Sequence, residues 1–162
     1  MNFRAFGLLC LLFLLPGCAH RLPDYEKPLP RNQFQKLRTT AYTDSEKDHK
    51  RYGKNNALGT QLQCAEMHSA AADWARWPAG TIFRIQATGE VYIVDDYGWA
   101  LAGTNTIDLY KPSRQAMNDW SVRRVTVEIL HWGDPQESRR ILYPRRNYAH
   151  VRRMLREIDK FY

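Results

Sequence analysis

Val94-Asp95-Asp96-Tyr97-Gly98-Trp99-Ala100-Leu101-Ala102-Gly103, followed closely by Thr106-Ile107-Asp108-Leu109-Tyr110, is the stretch that decides how this chain reads. An apolar run, Val91-Tyr92-Ile93-Val94, ends in two carboxylates and a glycine-punctuated loop. A second short run then carries an aspartate between isoleucine and leucine. Burying an ionised carboxylate is costly, so an acid in a β-like run marks an unusual environment. Taken singly, each such aspartate also reads as a turn residue or a cap. A third one, Asp73, stands upstream in Ala71-Ala72-Asp73-Trp74, ahead of Trp77-Pro78-Ala79-Gly80-Thr81.

Moving outward, most of the central chain reads as β. Arg38 to Thr43 leans to strand. Thr81 to Ile85 follows Pro78 and Gly80, and Glu90 to Asp95 follows Gly89, so residues 81–94 suggest a hairpin. Val125, Val127 and Ile129 alternate with Arg124, Thr126 and Glu128, the period of a half-buried strand. Pro112 to Asp119 allows a two-turn helix. The alanines of Ala65 to Trp74 favour helix by propensity. Several short strands with Gly/Pro punctuation point to a small barrel or sandwich.

Together these motifs resemble the three-Asp, or 3D, domain family, which is similar to the catalytic barrel of membrane-bound lytic transglycosylase A. The matching elements are Thr40-Ala41-Tyr42-Thr43, Ala72-Asp73, Pro78-Ala79-Gly80-Thr81, Asp96 to Gly103, Ile107 to Tyr110, Trp120 and the alternating strand Val125 to Ile129. They cover roughly residues 38–130, in order. Trp99 stands where the family has a second glycine, and Asp95 adds an acid beside Asp96. The resemblance implies a mainly β fold, a six-stranded double-psi β-barrel over residues 37–132. It also makes Ala65 to Trp74 part strand, against local propensity.

What the resemblance implies for function is peptidoglycan lytic transglycosylation. Such enzymes cleave the β-1,4 bond between N-acetylmuramic acid and N-acetylglucosamine, and the muramic 6-hydroxyl closes a 1,6-anhydro ring. One carboxyl serves as acid and then base, unlike the pairs of most glycosidases. By motif position Asp108 matches that acid/base, Asp96 its neighbour in the cleft, and Asp73 the third acid. Tyr42, Trp74, Trp77, Tyr97, Gly98 and Trp99 lie in or beside the motif loops and are the candidate glycan contacts, since sugars stack on aromatic faces. The aromatic residues read equally as barrel packing.

The two ends of the chain carry different signals. Asn2 and Arg4 precede the ten-residue apolar run Phe6 to Leu15, half of what a bilayer-spanning helix needs. Leu15-Pro16-Gly17-Cys18 follows. Residues 1–17 therefore read as a secretory signal peptide. The segment resembles a lipobox in which Cys18 is lipidated, with plain secretion and a retained anchor as alternatives. Ala19 after it favours, by that resemblance, a Gram-negative outer membrane, facing the periplasm. Residues 18–36, with Pro23, Pro28 and Pro30, read as a stiff tether.

The chain has 162 residues and a net charge of +7, with 44% apolar and 25% charged residues, an ordinary globular composition. The charge is uneven. Residues 139–162 hold eight Lys/Arg and two Asp/Glu, and residues 18–138 are balanced. A localised basic tail argues against nucleic-acid binding. Tyr148, Val151, Met154, Leu155, Ile158 and Tyr162 recur at helical spacing, so residues 133–162 read as an extension bearing a basic amphipathic helix. Its bases suit a solvated face, anionic envelope polymers, lipid headgroups or an envelope protein partner.

Three cysteines exclude a disulfide scaffold, and Cys64 reads as a small buried residue. The five histidines form no metal pattern, and no cofactor is expected. Two other functions stay open: a non-catalytic, expansin-like wall-glycan binder, and an accessory envelope lipoprotein.

Overall fold

The structure is a computed structural model that describes residues 21–46 and 53–162. Residues 1–17, read from the sequence as a signal peptide, and Cys18 lie outside the described residues.

Six strands close into one barrel: β1 Phe34–Tyr42, β2 His68–Ala71, β3 Ile82–Ile85, β4 Val91–Asp96, β5 Thr106–Tyr110 and β6 Arg123–His131. Their order around the barrel is β1-β5-β2-β4-β3-β6. The pairs β1–β5 and β2–β4 are parallel, and the other four are antiparallel. Along β1 and β6 side chains alternate between buried and exposed. In β1, Gln35, Leu37 and Thr39 are buried and Phe34, Lys36 and Arg38 exposed; in β6, Val125, Val127 and Ile129 are buried.

The expected 81–94 hairpin is the β3–β4 pair. His68–Ala71 is strand despite its alanines, because it sits between β4 and β5 and bonds to both. A tertiary setting of that kind overrides a propensity difference of a few tenths of a kcal/mol. Strand β1 begins at Phe34, three residues before the boundary read from the sequence.

The described residues also form three α-helices: α1 Arg114–Trp120, α2 Pro135–Leu142 and α3 Ala149–Phe161. Ser113 caps α1 by accepting from the Ala116 N–H at 3.2 Å, and Asp134 caps α2 by accepting from the Gln136 N–H at 2.8 Å. Residues 139–162 are not one continuous helix. Pro144 lies in a 3-10 turn, Tyr143–Arg145, that separates α2 from α3.

These C-terminal elements are not an appendage. Leu142, Val151, Met154, Leu155 and Ile158 share one core with Trp74, Trp77, Ala79, Phe83, Tyr92, Ile107 and Val127. Gly133 makes this docking possible. A Cβ there would meet the Ala79 carbonyl oxygen at 2.1 Å. Its N–H donates to Thr81 Oγ1 at 3.0 Å, while the Ala79 N–H donates to Ser138 Oγ at 2.9 Å.

The stretch read as a tether is also fastened to the domain from Pro23 onward. The Glu26 N–H donates to the Gly103 carbonyl at 2.8 Å, Arg76 donates to the Glu26 carbonyl, and Arg153 donates to the Pro23 carbonyl at 2.7 Å. Residues 23–32 carry no regular secondary structure, yet these bonds make them a strap lying on the barrel.

Candidate functional site

Strand register places the two candidate acids in one row. Thr40 of β1 pairs with Asp108 of β5, Asp108 pairs with Ala71 of β2, and Ala71 pairs with Asp96 of β4. Paired residues of a ladder point to the same face, so Thr40, Asp108, Ala71 and Asp96 share one. Two strand spacings separate the two acids, about 10 Å between Cα atoms.

An irregularity in β4 creates this row. Ala70 pairs with Val94 and Ala71 with Asp96, so β4 advances by two residues while β2 advances by one. The β-bulge skips Asp95 and turns Asp96 onto the Ala71 face, the side-chain re-aiming that bulges perform beside functional sites. Two residues further along β1 and β5, Tyr42 and Tyr110 extend the same face with ring centroids 5.6 Å apart. Tyr42, Ala71, Leu101 and Tyr110 form a small apolar cluster separate from the main core. The acids therefore stand beside an apolar floor outside the barrel interior.

Each acid is held by named donors. Thr40 Oγ1 donates to Asp108 Oδ1 at 2.6 Å. Asp96 accepts from the Tyr97 N–H at 2.9 Å and from the Tyr42 hydroxyl at 3.3 Å, and the Trp74 indole N–H donates to the Asp96 carbonyl at 2.8 Å. Asp108 is half-buried, and burial pushes its carboxyl up to about 6 against the Thr40 bond, which favours the charged form. Burial raises Asp96 further, to about 7, with the Asp95 charge adding to it. Burial raises Tyr42 well above the usual phenol range, and the negative fields of Asp96, Asp95 and Asp108 all reach it. The face thus presents two carboxyls with sizeable protonated fractions near neutral pH and a phenol fixed between their fields.

The third acid is elsewhere. Asp73 is fully buried. Its carboxylate accepts from the Ala75 N–H at 2.8 Å and from the Gly103 N–H at 2.5 Å. It thereby ties the 73–77 turn to the end of the loop that follows Asp96. Arg76 approaches it at 3.8 Å and the buried Glu157 at 3.5 Å. Asp73 shapes the site from behind and does not line the Asp96–Asp108 face. Asp95 is structural too, accepting from Ser69 Oγ at 2.6 Å and Asn56 Nδ2 at 2.8 Å and so pinning the 53–62 loop.

The candidate glycan contacts divide. Trp74 and Trp77 have 0% and 1% of their surface exposed and belong to the core, so neither presents a ring face to a sugar. Their large apolar rings belong to the same core as the buried face of α3. Tyr42 is buried as well and acts on Asp96 through its hydroxyl. Tyr97, Gly98 and Trp99 are half-buried in the loop directly after Asp96. Tyr97 packs edge-on to Trp74 at 5.0 Å and receives an Arg145 bond at 3.4 Å. Gly98 has ordinary room on its Cα side, with Leu101 at 3.8 Å from where a Cβ would stand. Cys64, read as buried, is exposed.

Thr40 escaped the sequence reading as a site residue. Its signal was present: Thr40 and Tyr42 stand two apart on one strand, as do Asp108 and Tyr110, and so share a face. The bulge that aligns Asp96 left no comparable mark.

Among the described residues, no group of three or more His, Cys, Asp or Glu side chains is placed to hold a metal ion. No protein-family model matches the chain, and a search of curated proteins finds no significant match.

Proposed function

We propose that the chain is a peptidoglycan lytic transglycosylase of the 3D-domain type, with a double-psi barrel, and that Asp108 is its acid/base. The observation that carries this reading is the half-buried Asp108 carboxyl, hydrogen-bonded to Thr40 and aligned with Asp96 across Ala71. The two parallel pairs, β1–β5 and β2–β4, within a closed six-stranded barrel support the double-psi reading.

In this reading Asp108, protonated, gives its proton to the glycosidic oxygen as the bond to the muramic C1 breaks. The resulting carboxylate then takes the proton of the muramic 6-hydroxyl as that oxygen bonds to C1. No water is consumed, and Asp108 ends protonated. A carboxyl near 6 suits both halves, since at pH 7 about one molecule in ten carries the proton, against one in a thousand at the ordinary aspartate value. Burial and the Thr40 bond set the Asp108 carboxyl, with Glu46 raising it and Arg38 lowering it, and Trp99 is the platform for a sugar ring.

Lipidation at Cys18 would anchor the domain at the outer membrane, facing the periplasm, with glycan strands as substrate. The test is to incubate the protein with purified sacculi and look for 1,6-anhydromuropeptides by mass spectrometry. Products that vanish in Asp108→Asn support the reading, and their absence from the parent protein overturns it.

One observation favours the non-catalytic, glycan-binding alternative. Hollows of about 460 and 320 Å³ lie between the strap and α3, away from the two acids. In that case sacculi sediment the protein without being cleaved.

A further inference from the structure

The strap and the C-terminal half of α3 form a face with its own composition. Tyr25, Phe161 and Tyr162 are each about half exposed there, at 54%, 51% and 48%. Lys27, Arg31, Arg156 and Lys160 stand exposed among them. Arg31 is held between two rings, 4.6 Å from the Trp132 centroid and 4.6 Å from that of Tyr162. Of the acids in the region, Glu157 is buried beside Arg76, Asp159 accepts from Arg139 at 2.6 Å, Asp24 lies exposed 4.0 Å from Arg21, and Glu26, also exposed, accepts from the Asn105 N–H at 2.8 Å, which leaves the four bases in excess. The face is therefore basic and studded with exposed aromatic rings, the pairing found at a lipid–water interface. Rings of this kind sit at headgroup level while the bases meet lipid phosphates.

Position adds a second argument. The chain enters the domain at this face, where Arg153 donates to the carbonyls of Pro23 at 2.7 Å and Ala102 at 3.1 Å. The apolar run Phe6 to Leu15 and Cys18 come shortly before. The five residues from Cys18 to Pro23 span at most about 17 Å. An anionic wall polymer would also meet the bases, but the exposed rings and the short lead from Cys18 favour lipid.

We infer that the face bearing Tyr25, Lys27, Arg31, Arg156, Lys160 and Phe161 rests on an anionic bilayer surface, so that the domain works flat against the membrane rather than at the end of a tether. This rests on the membrane-anchor part of the reading above and is independent of its glycan chemistry.

The test uses the full-length chain reconstituted into phosphatidylcholine vesicles with and without phosphatidylglycerol. Flotation reports attachment. Quenching by brominated lipids of the emission added by Phe161→Trp reports the face, with Val122→Trp, at a 57% exposed position next to α1, as reference. The expected result is at least about twofold stronger quenching at position 161 than at 122 in anionic vesicles, falling to the reference level when Arg156→Gln and Lys160→Gln are added. A chain that floats with equal quenching at both positions overturns the inference while leaving the anchor standing. A chain that does not float overturns both. Shielding of position 161 from acrylamide by sacculi, and not by vesicles, overturns it in favour of a wall polymer. Anhydro-product formation is read separately and decides none of these outcomes.

Discussion

Asp96 and Asp108 stand on either side of Ala71 in one row of the barrel, although they belong to strands that are not neighbours. Neither carboxylate carries the row by itself. Thr40 holds one and Tyr42 the other, and both come from β1.

Removing the Thr40 hydroxyl tests the tuning of Asp108. That bond favours the ionised carboxyl and opposes burial. Thr40→Val therefore raises the Asp108 pKa above its present value near 6, and the alkaline limb of any Asp108-dependent activity moves up with it. NMR titration of the Asp108 carboxyl checks this; an unchanged or lowered value contradicts it.

The acids also make stability depend on pH. Asp73, Asp96 and Asp108 have folded values near 6, 7 and 6, above the unfolded value near 3.9. The folded state then binds more protons, so their contribution is complete below about pH 4 and is lost as pH rises through 6 to 7. His68, lowered by burial, opposes this with one proton. Melting temperature should fall between pH 5 and pH 8, and Asp96→Asn should flatten the slope. Thermal melts by circular dichroism across that range suffice.

Asp73 is expected to matter for folding and not for glycan chemistry itself. Asp73→Ala strands the buried N–H groups of Ala75 and Gly103 and leaves Arg76 with one acid fewer. At about 1–3 kcal/mol per stranded group the loss is near 3 kcal/mol. In a domain of this size that is about 10 °C in melting temperature. A variant that melts like the parent would refute the assignment.

Gly133→Ala places a methyl where the Ala79 carbonyl oxygen is, 2.1 Å away. Either α2 or the 78–81 turn must move, and the Gly133–Thr81 and Ala79–Ser138 bonds go with it. The cost is of order 2–4 kcal/mol, seen as a lowered urea midpoint. An unchanged midpoint would show that the C-terminal helices dock independently of this contact.

The tryptophans should separate by experiment. Trp74→Ala empties a core site and costs about 3–5 kcal/mol. Trp99→Ala, at a half-buried loop position, leaves melting nearly unchanged and weakens sedimentation with sacculi. Equal sedimentation of parent and Trp99→Ala removes this residue as a sugar platform.

Strand positions were legible because alternation is a local signal. Val125, Val127 and Ile129 show it unaided, while the runs at 82–85 and 91–94 are marked by their apolar, β-branched and aromatic residues between glycines. The α3 face, Val151, Met154, Leu155 and Ile158, is equally local, since helical spacing is written in neighbouring residues. His68–Ala71 was not legible from its own residues, because its strand form comes from the partners on either side.

The sequence by itself determined the apolar periodicities, the uneven charge and the acids at 73, 96 and 108. Tertiary structure alone decided what those acids do. The bulge at Asp95 turned Asp96 to face Ala71, parallel pairing brought Thr40 to Asp108, and Asp73 was drawn into the buried contact with Gly103 and Arg76. The physical reason is that a carboxylate's role follows from its burial and its donors. Those donors, at Thr40, Tyr42 and Gly103, lie 30 to 68 residues away along the chain and become neighbours only when the barrel closes.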